Sequence, residues 1–228
     1  RAVSRAGYRV MTEKQLTSSA IPPRILGLTG GIGAGKSFVG QMLVQSGLPL
    51  MDSDAVARGA YTESEQVRQQ VTALLGAEVY NSEGKPRYDE IARKVFAPSD
   101  EGTSLLHRLE QIIHPYVSER LQAWAVEQYA PEGWVVLESA ILWQSGFYRL
   151  CDAVVVVTAP EEVRVARVQE RDGATREQVQ ARIARQASYS LTALQQAHPE
   201  LPIYPVNNDG VQELEGQVKQ LLALLATL

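Results

Sequence analysis

The stretch "RILGLTGGIGAGKS", residues 24–37, decides the fold class. Its opening "RILGLT" is a short apolar run of strand character, and "GGIGAGKS" (30–37) fits the pattern G-x-x-x-x-G-K-[ST]. The glycines admit positive φ, so successive backbone N–H groups can turn toward one centre. A helical pattern follows over 36–46, and that nest together with the helix start makes a site for an anionic group. Lys36 then supplies a point charge to β- and γ-phosphates, and the Ser37 hydroxyl is placed to ligate Mg²⁺. Strand before and helix after are the context the motif requires. The expectation is binding of a nucleoside triphosphate with Mg²⁺.

Four more apolar segments read as strands: "LPLMD" (48–52), "WVVLES" (134–139), "AVVVVTA" (153–159) and "IYPVN" (203–207). Several are apolar without alternation, as expected of parallel strands covered on both faces. Helical patterns fall at 160–171, 175–197 and 211–226. This alternation predicts an α/β core, a five-stranded parallel sheet wrapped by helices in three layers. About eighty residues separate the second and third strands, far more than one crossover requires. They are mostly helical: "ESEQVRQQVTALLG", "YDEIARKVF" and "GTSLLHRLEQIIHPYVSERLQAWAVEQY", with a turn signal at "NSEGKP". An insertion at a strand's carboxyl end stands where α/β enzymes bind ligands. The expected division is a core of 24–59 and 130–228, a substrate-side subdomain over about 60–129, and a lid over about 164–190.

Composition narrows the classes. The 228 residues are 45% hydrophobic and 21% charged, a balance that suits a chain with its own core. Residues 1–24 carry a local +4, which leaves −8 on the rest of a chain whose formal net charge is −4. That acidic body argues against binding nucleic acid. The leader before Arg24 lacks an apolar core, so it is a poor secretory signal and is expected to be a disordered extension or an over-long start with Met11 as the true beginning. No apolar run approaches a membrane span. The one cysteine, Cys151, sits in "LCDAVVVVTA" and reads as a small core residue in a reducing, cytoplasmic compartment. No obligate protein partner is indicated.

A nucleotide loop leaves switch, motor and transferase open. The base-reading N-K-x-D of a GTPase is absent; the nearest match, "VNND" (206–209), has Asn in place of Lys. A small kinase needs an acceptor pocket, an acid near the acceptor hydroxyl, and arginines over the transferring phosphate. The helical insertion can supply the pocket. Asp52 and Asp54 follow the second strand, whose end opens on the same sheet edge as the loop. Two acids so close need a compensator: a cation, a proton to remove, or solvent. "RVARVQERDGATREQVQARIARQ" brings Arg164, Arg167, Arg171, Arg176, Arg182 and Arg185 to a flexible "DGAT", the makings of a lid rather than only a solvated face.

From about Arg24 to its carboxyl end the sequence resembles the dephospho-CoA kinase family. The resemblance rests on "GLTGGIGAGKS", "MDSDAVAR" (51–58), a loose match at "EGKPRYDEIARKVF" (83–96) and His114-Pro115. It extends to Arg167, Arg171-Asp172, Thr175-Arg176-Glu177, and Asn208 with Gly210. The resemblance implies transfer of the ATP γ-phosphate to the ribose 3′-hydroxyl of dephospho-CoA, giving CoA. It implies Asp54 as general base and Gly33, Ala34, Gly35, Lys36, Ser37 and Phe38 as the ATP loop. Asn208 falls where the family approaches adenine, Arg167, Arg171 and Arg176 fall in its lid, and Arg87 and His114 fall on its acceptor side. Asp52 is matched to Mg²⁺ through water. Rivals to this reading are another small-molecule or nucleoside monophosphate kinase, and a nucleotide switch without an acceptor.

Departures are visible. Phe38 stands where the family has a Thr that can bond the α-phosphate, and "AILWQ" (140–144) puts Gln144 where the family has Glu. The family's Lys and "AD" before the last strand are absent from "SYSLTALQQAHPELPIYPV". His114, on an apolar helical stripe, reads as packed or substrate-binding rather than chemical. Glu138, ending the third strand, is a candidate outer partner of Mg²⁺.

Overall fold

The computed structural model describes residues 24–128, 133–186 and 191–228. The leader expected before Arg24 and the end of the expected lid beyond 186 lie outside the described residues. Five strands are present: β1 (Arg24–Gly30), β2 (Leu50–Asp52), β3 (Trp134–Glu138), β4 (Ala153–Thr158) and β5 (Ile203–Asn207). The helices are α1 (Lys36–Gln45), α2 (Ser53–Glu63), α3 (Glu65–Leu75), α4 (Tyr88–Val95), α5 (Asp100–Glu127), α6 (Glu161–Asp172), α7 (Arg176–Arg185), α8 (Leu191–Ala197) and α9 (Leu214–Leu225).

Backbone contacts divide the described residues into two compact units, one of Asp52–Trp124 and one of those up to Met51 and from Ala125 onward. The sheet belongs to the latter except for Asp52 at the end of β2, and its order is β2-β3-β1-β4-β5. β1 runs parallel to β3 with Leu26 opposite Val136, and parallel to β4 with Leu28 opposite Val155. β4 in turn runs parallel to β5. The five central residues of β1 and the first five of β4 are buried. That explains their unbroken apolar runs, because both faces of a central parallel strand are covered. Leu26, Leu28, Val136, Val155, Val39 and Leu43 of α1, and Val218, Leu221 and Leu225 of α9 form one core cluster. β2 and β3 lie on one side of β1 and β4 and β5 on the other, so the loop after β1 stands at a topological switch point, where open α/β sheets bind ligands.

The second unit is helical. Val67, Val71 and Leu75 of α3, Ile91 and Val95 of α4, and Leu109, Ile113, Val117 and Leu121 of α5 are buried at helical spacing. Ser64 caps α3 by accepting the Val67 N–H at 3.2 Å. The "NSEGKP" turn closes a small bridge between Tyr80 and Pro86, with Asn81 Oδ1 accepting from the N–H groups of Glu83 and Lys85.

Two expectations are corrected. The pattern over 175–197 is not one helix: α7 ends at Arg185, and Gln186 turns extended at φ −74°, ψ 125°. The pattern over 211–226 starts later, at Leu214, because Asp209 Oδ1 accepts from the N–H groups of Val211 and Gln212 and holds a turn there.

Candidate active site

Within the sheet unit, the loop between β1 and α1 carries the candidate site. Gly33 has φ 76° and Gly35 φ 91°, values that an L side chain adopts only with strain. Gly35 is also the N-cap of α1 and offers no side chain to its first turn. A helix start without a side-chain cap, opening from a glycine loop, is the arrangement that takes phosphate.

Lys36 and Ser37 open α1 and converge on one carboxylate. Ser37 Oγ donates to Glu138 Oε1 at 2.8 Å, and Lys36 Nζ stands 3.8 Å from the same oxygen. The Lys36 and Glu138 side chains are only 16% and 13% exposed. Glu138 is the last residue of β3, so the pairing of β3 beside β1 brings it there. A hydroxyl and a carboxylate side by side are hard oxygen donors of the kind Mg²⁺ takes together with substrate phosphates. Among the described residues there is no group of three or more His, Cys, Asp or Glu that could hold a metal by itself.

The loop is held from β5 and α6. Asn208 follows β5, with its N–H on the Thr158 carbonyl at 2.8 Å. Its Nδ2 donates to the Ala34 carbonyl at 2.9 Å, and Arg167 donates to the Asn208 carbonyl at 2.9 Å and to its Oδ1 at 3.3 Å. The Asn208 amide thus braces the loop itself. Arg164 Nε donates to the Ile32 carbonyl at 2.8 Å, and Gln186 Oε1 accepts the Ile32 N–H at 2.6 Å. Beside the loop lies a cavity of about 210 Å³, lined among others by Gly31, Trp143, Gln144, Arg164, Ile183 and Gln186. Phe38, on the first turn of α1, is 57% exposed.

The arginines of the expected lid divide. Arg164 and Arg167 reach the loop and Asn208. Arg171 is held by Asp172 at 2.7 Å, Arg182 by the same Asp172 at 3.0 Å, and Arg176 by Glu162 at 2.5 Å. These pairs run along or between α6 and α7, whose hairpin is fixed by Gly173 in the left-handed region and by a Thr175–Gln178 capping box. The side chain of Arg185 lies outside the described residues. Cys151 is buried, and burial drives its thiol far above the usual range, so it is a core residue and not a nucleophile.

In the second unit, Asp52 is the N-cap of α2. Its Oδ1 accepts from the N–H groups of Asp54 at 2.8 Å and Ala55 at 3.2 Å. Asp54 stands exposed in the first turn, where the helix dipole favours a negative charge. Arg87 donates to the Glu78 carbonyl at 3.3 Å and faces Glu90 at 3.3 Å. His114 is half-buried on α5, and burial first, then the nearby His107, pushes its pKa below the ordinary value. Pro115 follows it inside α5 and removes one helical donor.

Sequence reasoning missed Gln186 and the contact of Arg164 with the loop. Both contacts span more than 130 residues, and no local pattern marks them. It also missed the capping use of Asp52, although an Asp just before a helical run is a recognisable start signal.

The comparisons agree with this geometry. The CoaE family model, described as dephospho-CoA kinase, matches residues 24–197. The chain is 40% identical over 161 residues to a dephospho-CoA kinase of Porphyromonas gingivalis, covering 71% of this chain and 76% of that one. It is 36% identical over 216 residues to a dephospho-CoA kinase of Deinococcus radiodurans, covering 94% and 99% respectively. Among solved structures, TT1252 from Thermus thermophilus superposes with a TM-score of 0.71 at 31% identity, covering 91% of this chain and 99% of that one. A dephospho-CoA kinase from Campylobacter jejuni, 18% identical, shares the fold with a TM-score of 0.58 over 89% of this chain and 97% of its own. With its phosphate loop, its Lys36–Ser37–Glu138 cluster and a family match over most of its length, this chain belongs to the dephospho-CoA kinase family.

Proposed function

We infer that the chain transfers the γ-phosphoryl group of ATP to the ribose 3′-hydroxyl of dephospho-CoA, the last step of coenzyme A synthesis. The observation that carries this reading is the convergence of Lys36 and Ser37 on Glu138 at the start of α1, in a chain of this family. The loop backbone from Gly33 to Ser37 binds the phosphates, and Lys36 offsets charge on the β- and γ-phosphoryl groups. Ser37 would ligate Mg²⁺, with Glu138 behind it as the outer partner that holds the hydroxyl; the ion when bound neutralises phosphate charge. Arg167, braced on Asn208, adds positive charge beside the loop. Arg171 and Arg176 join it only by exchanging Asp172 and Glu162 for phosphate oxygens. Asp54 takes the proton of the acceptor hydroxyl; its exposed place just past the end of β2 supports that assignment. Arg87 and His114 are assigned to acceptor binding, and Asp52 serves first as a cap, with its second oxygen left for a water of the metal.

An acceptor screen tests the reading. ADP release that depends on dephospho-CoA, and is absent with nucleoside monophosphates, is the expected result. Release with monophosphates alone assigns a different kinase, and slow release without any acceptor assigns a switch.

A further inference from the structure

Ile32 is gripped by the α6–α7 hairpin through every handle it has. Its N–H donates to Gln186 Oε1 at 2.6 Å, and its carbonyl accepts from Arg164 Nε at 2.8 Å. Its side chain packs into the hairpin's own small core of Val165, Val168 and Val179. The peptide between Gly31 and Ile32 is fixed at both ends, because the Gly31 carbonyl accepts the Ala34 N–H at 3.0 Å. Two glycines flank Ile32, so this peptide is of the kind that rotates at little cost once its bonds are lost.

We propose that Gln186 is a positioning residue for the nucleotide: its side-chain oxygen locks the Gly31–Ile32 peptide and thereby sets the amides that follow it in the phosphate loop. This rests on reading that loop as the ATP site. Gln186 is suited to the task on three counts. It lies at the C-cap of α7, where the backbone has already left the helix, so the helix end aims the side chain. It is half-buried beside Arg164, in the wall of the cavity next to the loop. It is also a neutral acceptor. A carboxylate would hold the N–H equally well but would place a negative charge beside bound phosphates. The coupling is geometric and reciprocal: the hairpin that carries the arginines also holds the shape of the first half of the loop.

The test uses Gln186→Met, which keeps the length of the side chain and deletes the acceptor. ATP and ADP affinities are measured by calorimetry without acceptor, alongside Tm and the KM values for ATP and dephospho-CoA. The expected result is nucleotide affinity weakened about tenfold, the value of one well-placed hydrogen bond, with dephospho-CoA KM within about twofold of the parent. If the methionine variant folds poorly, Gln186→Asn keeps the amide but falls one methylene short and gives the same reading. A lowered Tm with unchanged nucleotide affinity makes Gln186 a helix cap only and overturns the proposal. Tighter nucleotide binding also overturns it, since the oxygen would then be competing with phosphate for the amide. A rise in dephospho-CoA KM alone would make Gln186 an acceptor contact and equally sinks it. Because affinity is read without acceptor, a parent enzyme that binds ATP but leaves dephospho-CoA unmodified would refute the reaction and leave the Gln186 comparison intact.

Discussion

The Ser37 hydroxyl donates a 2.8 Å hydrogen bond to Glu138, joining the first turn of α1 to the end of β3. The bond crosses 101 residues of sequence and needs the β1–β3 pairing to exist. Glu138 therefore orients the two groups proposed to bind phosphate, Ser37 directly and Lys36 through charge.

Glu138→Gln keeps an acceptor for Ser37 and removes the charge. We expect turnover to fall about tenfold to a hundredfold, the usual cost of losing an outer partner of a metal site. The Mg²⁺ concentration needed for half-maximal rate should rise with it. A variant with unchanged Mg²⁺ dependence would remove Glu138 from the site.

Asp54→Asn should lose turnover by about 10²–10⁴, the range of a general base, while ATP affinity holds. Calorimetry with ATP and a single-turnover assay separate the two. A variant that turns over at the parent rate sinks the base assignment.

Phe38 presents an exposed phenyl ring on the first turn of α1, at the position where the family pattern has a threonine. Phe38→Thr should lower KM for ATP about threefold, at little change in Tm because the ring is largely in solvent. Initial rates across ATP concentrations check this; a KM that rises would show that the ring itself contacts the nucleotide.

His114 makes stability depend on pH. Burial lowers its folded pKa, so the unfolded chain binds the proton more readily. Its contribution to stability is complete above about pH 6.5, its unfolded value, and is lost as pH falls from there through the depressed folded value. Thermal unfolding over about pH 7 to 5 should show a smaller decline for His114→Gln than for the parent. Parallel declines would mean that the imidazole is not a source of the acid sensitivity.

The sheet was legible in the sequence because β1 and β4 are covered on both faces and so spell unbroken apolar runs. The phosphate loop was legible because its requirements are local: glycine where φ is positive, then a lysine and a hydroxyl at a helix start. The acids at 52 and 54 were read as chemistry, with cation, proton and solvent as possible compensators. The structure adds a fourth, the N-terminus of α2, which Asp52 caps with its own oxygen. What could not be read was which partner each lid arginine finds. Composition made Arg164, Arg171 and Arg176 equivalent, whereas packing sends the first to Ile32 and the third to Glu162, and Arg171 pairs with its neighbour Asp172. The break at Gln186 was hidden for the same reason, since its side chain answers to a loop 154 residues away.

The most direct measurement is the identity of the product. The protein is incubated with ATP, Mg²⁺ and dephospho-CoA, and the acceptor is recovered for mass spectrometry and for phosphorus–proton NMR of its ribose. The account predicts one added phosphoryl group, on the 3′-hydroxyl, with an equal amount of ADP and with loss of both products in Lys36→Ala. ADP without a phosphorylated acceptor, or a phosphoryl group on any other atom, would contradict it.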